Sequence, residues 1–139
     1  MRNFPPERIV CLTEETVETL YLLDEQNRIV GVTGYAVRPP VVRKEKERVG
    51  AFISAKIDKI LSLKPDLVLA FSDLQAEIAA ELIKNSVAVM TYNQRDIAGI
   101  LAMIRHLAMC CHSAPLLIRK REISPTVCCC CSSMRPAWL

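Results

Sequence analysis

The run Leu67-Val68-Leu69-Ala70-Phe71 constrains this chain most. Five consecutive apolar residues follow the breaker Lys64-Pro65-Asp66 and precede Ser72-Asp73. So short an unbroken run reads as a strand covered on both faces, and such strands belong to parallel sheets flanked by helices. The rest of the chain repeats the theme. Arg8 to Leu12 reads as a buried strand, and Thr13 then offers an N-cap hydroxyl with Glu14 and Glu15 in the first helical turn. Val17, Leu20 and Tyr21 keep helical spacing to about Leu23. Arg28 to Thr33 is a second strand, Pro39-Pro40 starts a short helix, and Val49 to Ile53 is an extended link. Ser54 is placed to cap a helix from about Ala55 to Leu63. Leu74 to Lys84 is an amphipathic helix, Ser86 to Tyr92 a strand, and Asp96 to about Leu107 a last helix with the stripe Ile97, Ile100, Leu101 and Ile104.

Strand and helix alternate four to five times through short connections, which implies an α/β architecture: a Rossmann-like, three-layer lobe with a mainly parallel sheet. In such folds ligands gather at the carboxyl ends of the strands. That rule selects the turns after Leu12, Thr33, Ala70 or Phe71, and Tyr92.

Composition separates this body from the remainder of the chain. Hydrophobic residues make up 51% of the 139, enough for a core, so disorder throughout is excluded. From Met1 to Arg105 there are fourteen basic and fourteen acidic residues, and the net charge of +3 comes entirely from the residues beyond. A neutral body argues against nucleic-acid binding, which needs a basic face to displace counterions. Cys11 stands alone in an apolar run and reads as a small buried hydrophobe. The other six cysteines, Cys110, Cys111 and Cys128 to Cys131, lie late in the chain among prolines and without period. Residues 1–107 are therefore read as one lobe, and residues 108–139 as an irregular, Cys-rich tail that is disordered or aberrant. Adjacent cysteines cannot all turn toward one ion, so no metal site is expected at Cys110-Cys111-His112 or Cys128–Cys131. The first apolar run, Ile9 to Leu12, is shorter than an export signal needs, and no segment reaches membrane-spanning length. As given, the chain is expected to be cytoplasmic.

Several phrases carry a more specific signal. Arg8-Ile-Val-Cys-Leu-Thr-Glu-Glu-Thr-Val-Glu-Thr-Leu20, Gly31-Val-Thr-Gly-Tyr-Ala-Val-Arg-Pro-Pro40, Val49-Gly-Ala-Phe52, Ile57-Asp-Lys-Ile-Leu-Ser-Leu-Lys-Pro-Asp-Leu-Val-Leu69 and Val87-Ala-Val-Met90 together resemble the cobalamin and iron-siderophore substrate-binding proteins of ABC importers. The resemblance covers about residues 7 to 107, and the phrase around Tyr35 points toward the cobalamin binders. It implies two α/β lobes joined by a long helix with ligand clamped between them, of which this chain holds the first, as a truncated form. Family members are usually periplasmic. The work implied is recognition without catalysis, and no cofactor is expected; cobalamin is the implied ligand.

A corrin ring is broad and largely apolar with amides at its rim, so aromatic side chains and a few polar groups suit it. The resemblance puts Tyr35 and Phe52 at the cleft. Thr13, Glu14, Ser72 and Asp73 stand where helix starts meet the strand ends; each reads first as part of a helix cap, with a ligand contact as the second reading. Asp58 matches an acidic residue that pairs with arginines of the importer's membrane subunit; the plain alternative is a solvated helix charge. Other readings stay open: a ferric siderophore or haem as cargo, for which Arg38 is the nearest basic group, a Cys-rich metal-binding module, or a non-functional fragment.

Overall fold

The computed structural model describes residues 4–111. Within them, twelve short elements build a five-stranded, all-parallel sheet with helices on both faces. Strand β1 (Ile9–Cys11) lies at its centre, paired on one side with β2 (Ile29–Val32) and on the other with β4 (Leu67–Phe71). Beyond β2 lies β3 (Glu47–Arg48), and beyond β4 lies β5 (Val89–Tyr92), so the order is β3-β2-β1-β4-β5. The chain winds outward from β1 in one direction, then returns to the other side at β4, leaving a switch point between β1 and β4. The expected α/β lobe with a parallel sheet is the fold observed.

Alternating strand residues feed two cores. Ile9 and Cys11 of β1, with Leu67 and Leu69 of β4, face α1 (Glu14–Leu22), the short α2 (Val42–Glu45) and α5 (Ile97–Cys110) through Val17, Leu20, Val42, Met103 and Leu107. Val10, Val68 and Ala70 face the other way, toward α3 (Ile57–Ser62) and α4 (Ala76–Lys84) through Ile60, Ile78 and Leu82. Cys11 is fully buried as a small apolar residue, as its setting in the sequence suggests. Its burial pushes the thiol up to about 12.

Five local readings need correction. A strand not expected from the sequence precedes the Val49 to Ile53 link: Glu47 and Arg48 pair with Gly31 and Val32, although both are charged and exposed. Ser54 does not cap α3; the helix starts at Ile57 with Lys56 in the cap position, because Ala55 is held in a bridge to Gly50. The short helix begins two residues after Pro39-Pro40, at Val42. The helix expected from Leu74 opens as a 3-10 turn, Asp73–Gln75, and becomes regular only at Ala76. The last helix runs on to Cys110, and its packed stripe is Met103, Leu107 and Ala108, continued by Cys111, while Ile97, Ile100 and Leu101 face solvent. Asp96 does cap this helix, its carboxylate accepting the Gly99 N–H at 2.7 Å. The readings made for residues 112–139 lie outside the described residues.

Candidate functional site: the carboxyl edge of the sheet

Parallel strands send all their following turns to one edge, so the turns after β1, β2, β3, β4 and β5 form a single rim. Backbone hydrogen bonds lace neighbouring turns together: Thr33 N–H to the Cys11 carbonyl at 2.9 Å, Leu12 N–H to Leu69 at 2.9 Å, and Ser72 N–H to Tyr92 at 2.7 Å.

Tyr35 and Phe52 both stand on this rim. The turns that carry them are tied by the Gly34 N–H donating to the Gly50 carbonyl at 2.7 Å. Gly50 has φ of +139°, and a Cβ there would lie 2.7 Å from the Ser54 carbonyl oxygen, so only glycine makes this turn. Tyr35 is 62% exposed, an unusual state for so large a ring. Phe52 is half-buried. Its loop crosses over the ends of β2 and β1 to set the ring 6.3 Å from that of Phe71, at the end of β4. The Arg95 guanidinium lies 5.8 Å over the other aromatic of that pair, Phe71.

The switch point itself is filled by the chain. Gln75, only 1% exposed, donates from Nε2 to the Phe52 carbonyl at 2.7 Å and to the Leu12 carbonyl at 3.1 Å, and its Oε1 accepts the Phe71 N–H at 2.9 Å. One amide thus satisfies three backbone groups from three separate turns. The crevice at the switch point is thus closed by the chain's own side chain.

Thr13 and Glu14 differ in burial. Thr13 is in the cap position of α1 but is buried, its hydroxyl 3.0 Å from that of Thr16, which donates to the Thr13 carbonyl at 3.1 Å. The expected cap bond from the Thr13 side chain does not form. Glu14 stays partly accessible and is paired with Arg38, Nε to Oε1 at 3.4 Å; a second arm of Arg38 reaches Glu18 at 3.8 Å. Arg38 is thus already compensated by two carboxylates.

Ser72 and Asp73 belong to a polar cluster with Asn93 and Arg95. The Ser72 hydroxyl donates to the Asp73 carboxylate and accepts from the Arg95 guanidinium at 2.8 Å, whose Nε donates to Asn93 Oδ1 at 2.7 Å. Ser72 adopts φ of +50°, a region that costs a non-glycine residue about 1–3 kcal/mol and is held here by these bonds. Its hydroxyl, aided by backbone N–H groups and Arg95, holds the Asp73 carboxyl below the usual carboxylate range. Asp73 does not cap α4, whose cap position is Gln75.

Asp58 sits exposed in the first turn of α3. Two shallow clefts open beside the rim. One, of about 400 Å³, is lined by Gly34, Tyr35, Arg48, Gly50, Ala51, Lys56 and Lys59. The other, of about 350 Å³, lies between the end of β5 and α5 and includes Tyr92, Gln94 and His106. Among the described residues no group of three metal-ligating side chains comes together, and no helix is long and apolar enough to cross a membrane.

Sequence reasoning missed Phe71, Gln75, Asn93 and Arg95. Arg95 had a signal, since it lies in the turn after Tyr92 that the strand-end rule selects. Gln75 had none: a glutamine between Leu74 and Ala76 looks like any solvent-facing helix residue.

Comparison with known proteins agrees with this fold. The family model described as "Periplasmic binding protein" matches residues 9–114. The vitamin B12-binding protein of Pectobacterium carotovorum subsp. carotovorum is 27% identical over 104 residues, covering 74% of this chain and 37% of the relative. That of Vibrio cholerae serotype O1 (strain ATCC 39541) is 40% identical over 70 residues, covering 50% of this chain and 25% of the relative. The crystal structure of the periplasmic vitamin B12-binding protein BtuF of Vibrio cholerae superposes with a TM-score of 0.65 at 25% identity, over 85% of this chain and 50% of that one. The chain thus spans half or less of the length of each of these relatives.

Proposed function

The chain belongs to the periplasmic binding protein family, and from that premise we propose that residues 4–111 form one lobe of a non-catalytic substrate-binding protein whose rim receives one face of a corrinoid. The observation that carries this reading is the placement of Tyr35: a ring left 62% exposed on a turn tied to the Phe52 turn, at the carboxyl edge where parallel sheets bind ligands. An exposed aromatic beside a half-buried Phe52–Phe71 pair gives a broad, apolar contact, and the Ser72, Asn93 and Arg95 cluster supplies hydrogen-bonding groups for peripheral amides. Relatives named as vitamin B12-binding proteins support the corrinoid over other cargo.

Arg38, the cation nearest Tyr35 in sequence, is held by Glu14 and Glu18 and is not itself free to meet an anionic siderophore or haem. Docking to an importer's membrane subunit through Asp58 is part of the same proposal, supported by its exposure on α3.

Calorimetric titration of cyanocobalamin into the full chain, beside Tyr35→Ala and Phe52→Ala variants, tests the reading. A lost aromatic contact is expected to weaken binding by about 5–10-fold in each variant. Absence of any corrinoid binding at millimolar ligand, or binding indifferent to both substitutions, would overturn it.

A further inference from the structure

The cleft beside Tyr35 has a chemistry that the aromatic rim does not explain. Its walls come from three places: Arg48 from β3, Lys56 from the loop entering α3, and Lys59 from α3 itself. Three cations line one concavity of about 400 Å³, while residues 1–105 as a whole are neutral. Lys59 is paired with Glu47, 2.5 Å from Nζ to Oε1. Among the described residues, Arg48 and Lys56 make no salt bridge. The concavity therefore carries two uncompensated positive charges.

The lower wall is backbone: Gly34 and Gly50, joined by their hydrogen bond, with Ala51 beside them. Small residues leave the space open, and the fixed Gly50 turn keeps it so. A guanidinium offers a planar fork of donors and two ammonium groups act as point charges, a set suited to a phosphate group. A phosphodiester presents two unesterified oxygens to such a fork and carries one permanent negative charge, and inorganic phosphate presents the same kind of oxygen.

We infer that this cleft is a phosphate-ester subsite formed by Arg48, Lys56 and Lys59, placed so that a ligand lying on Tyr35 directs an anionic arm into it. The link to the ligand on Tyr35 rests on the corrinoid reading; the anion site itself does not. Of the corrinoids, cyanocobalamin bears a phosphodiester in its nucleotide arm and dicyanocobinamide bears none.

The test has two arms on the full chain. In the first, inorganic phosphate is titrated while amide NMR signals are followed. Shifts are expected at Gly34, Gly50 and Lys56, weakening with added sodium chloride, and an Arg48→Gln/Lys56→Gln double variant is expected to bind phosphate at least about 10-fold more weakly. No shift at these amides, or an unchanged response in the double variant, overturns the subsite. In the second arm, cyanocobalamin is compared with dicyanocobinamide. Wild type is expected to favour the phosphate-bearing corrinoid by about 5-fold or more, and the double variant to lose that preference while holding cobinamide as before. A preference that survives the double substitution overturns the link to the arm. Phosphate binding with no binding of either corrinoid would defeat the corrinoid reading and leave the anion site standing.

Discussion

The two flanks of the sheet are finished in opposite ways. On one, β3 closes the sheet with Glu47 and Arg48, both exposed and charged, in a strand only two residues long. Short, charged edge strands resist pairing with further chain. On the other flank, α5 covers the sheet with Met103, Leu107 and Ala108 but leaves Ile97 77%, Ile100 43% and Leu101 39% exposed, with Met109 also in solvent. The lobe thus meets water with charge on the β3 side and with apolar surface on the α5 side. Single exposed apolar residues mean little, whereas several on one helix face mark a surface built for contact. Among the described residues the core is closed while the outer stripe of α5 stays in solvent.

The largest effect that could break this contrast is in α5 itself. Leu107→Ala, on the packed stripe, is expected to cost about 2–5 kcal/mol, the range for a large buried aliphatic cut to alanine. Ile100→Ala, on the outer stripe, should stay within about 0.5 kcal/mol, as surface substitutions do. Urea denaturation of the two variants measures both. Equal losses would mean that the outer stripe is packed and the contrast between flanks is false.

A smaller effect separates the flanks by pH. The buried thiols lie on the α1–α5 side: burial, eased a little by Thr16, raises Cys11 to about 12, and burial followed by Glu25 raises Cys111 to about 11, against 9.0 for an ordinary thiol. Both shifts are upward for groups that are neutral when protonated. Their contribution to stability is whole below pH 9.0, where folded and unfolded thiols alike keep the proton. Above it the unfolded thiols ionise first, and stability falls by about 1.4 kcal/mol per pH unit for each group until the folded thiol titrates too. Cys111→Ala is expected to make the fall between pH 9.5 and 10.5 shallower by about 1 kcal/mol. Denaturation midpoints at three alkaline pH values give the slope; an unchanged slope in the variant would place Cys111 outside the core.

How far the sequence reaches is set by the same physics. β4 was legible because five apolar residues bounded by Pro65-Asp66 and Ser72-Asp73 admit little else. The start of α5 was legible because the apolar stretch opens just after Asp96, whose carboxylate accepts the Gly99 N–H in the structure. The phase of α5 was not: between Ile97 and Cys110 only Arg105 and His106 are strongly polar, so an apolar period fits several faces and packing decides among them. β3 escaped because two charged residues carry no hydrophobic alternation, and its pairing is supplied by Gly31 and Val32. At the rim, Tyr35 and Phe52 were singled out through family phrases, and the turns bearing them lie side by side. Gln75 escaped because its value lies in three partners distant in sequence or hidden in backbone, Leu12, Phe52 and Phe71.

The smallest effect tests the charged flank. Glu47 and Lys59 are exposed partners, 55% and 37% accessible, so their pair is worth about 0–1 kcal/mol and less in salt. Glu47→Gln should therefore leave thermal stability almost unchanged, a shift of about 2 °C or less. Yet the same substitution removes the one carboxylate that, among the described residues, is paired with a cation of the Tyr35 cleft, and it frees the Lys59 ammonium. Phosphate affinity should rise by about 2–5-fold at low salt, with the gain vanishing as sodium chloride approaches about 0.5 M. A large loss of stability would make the pair a structural clamp of the β3 edge. Unchanged phosphate affinity would mean that Glu47 does not restrain the site. Stability that stays level while affinity rises would show the charged flank serving recognition.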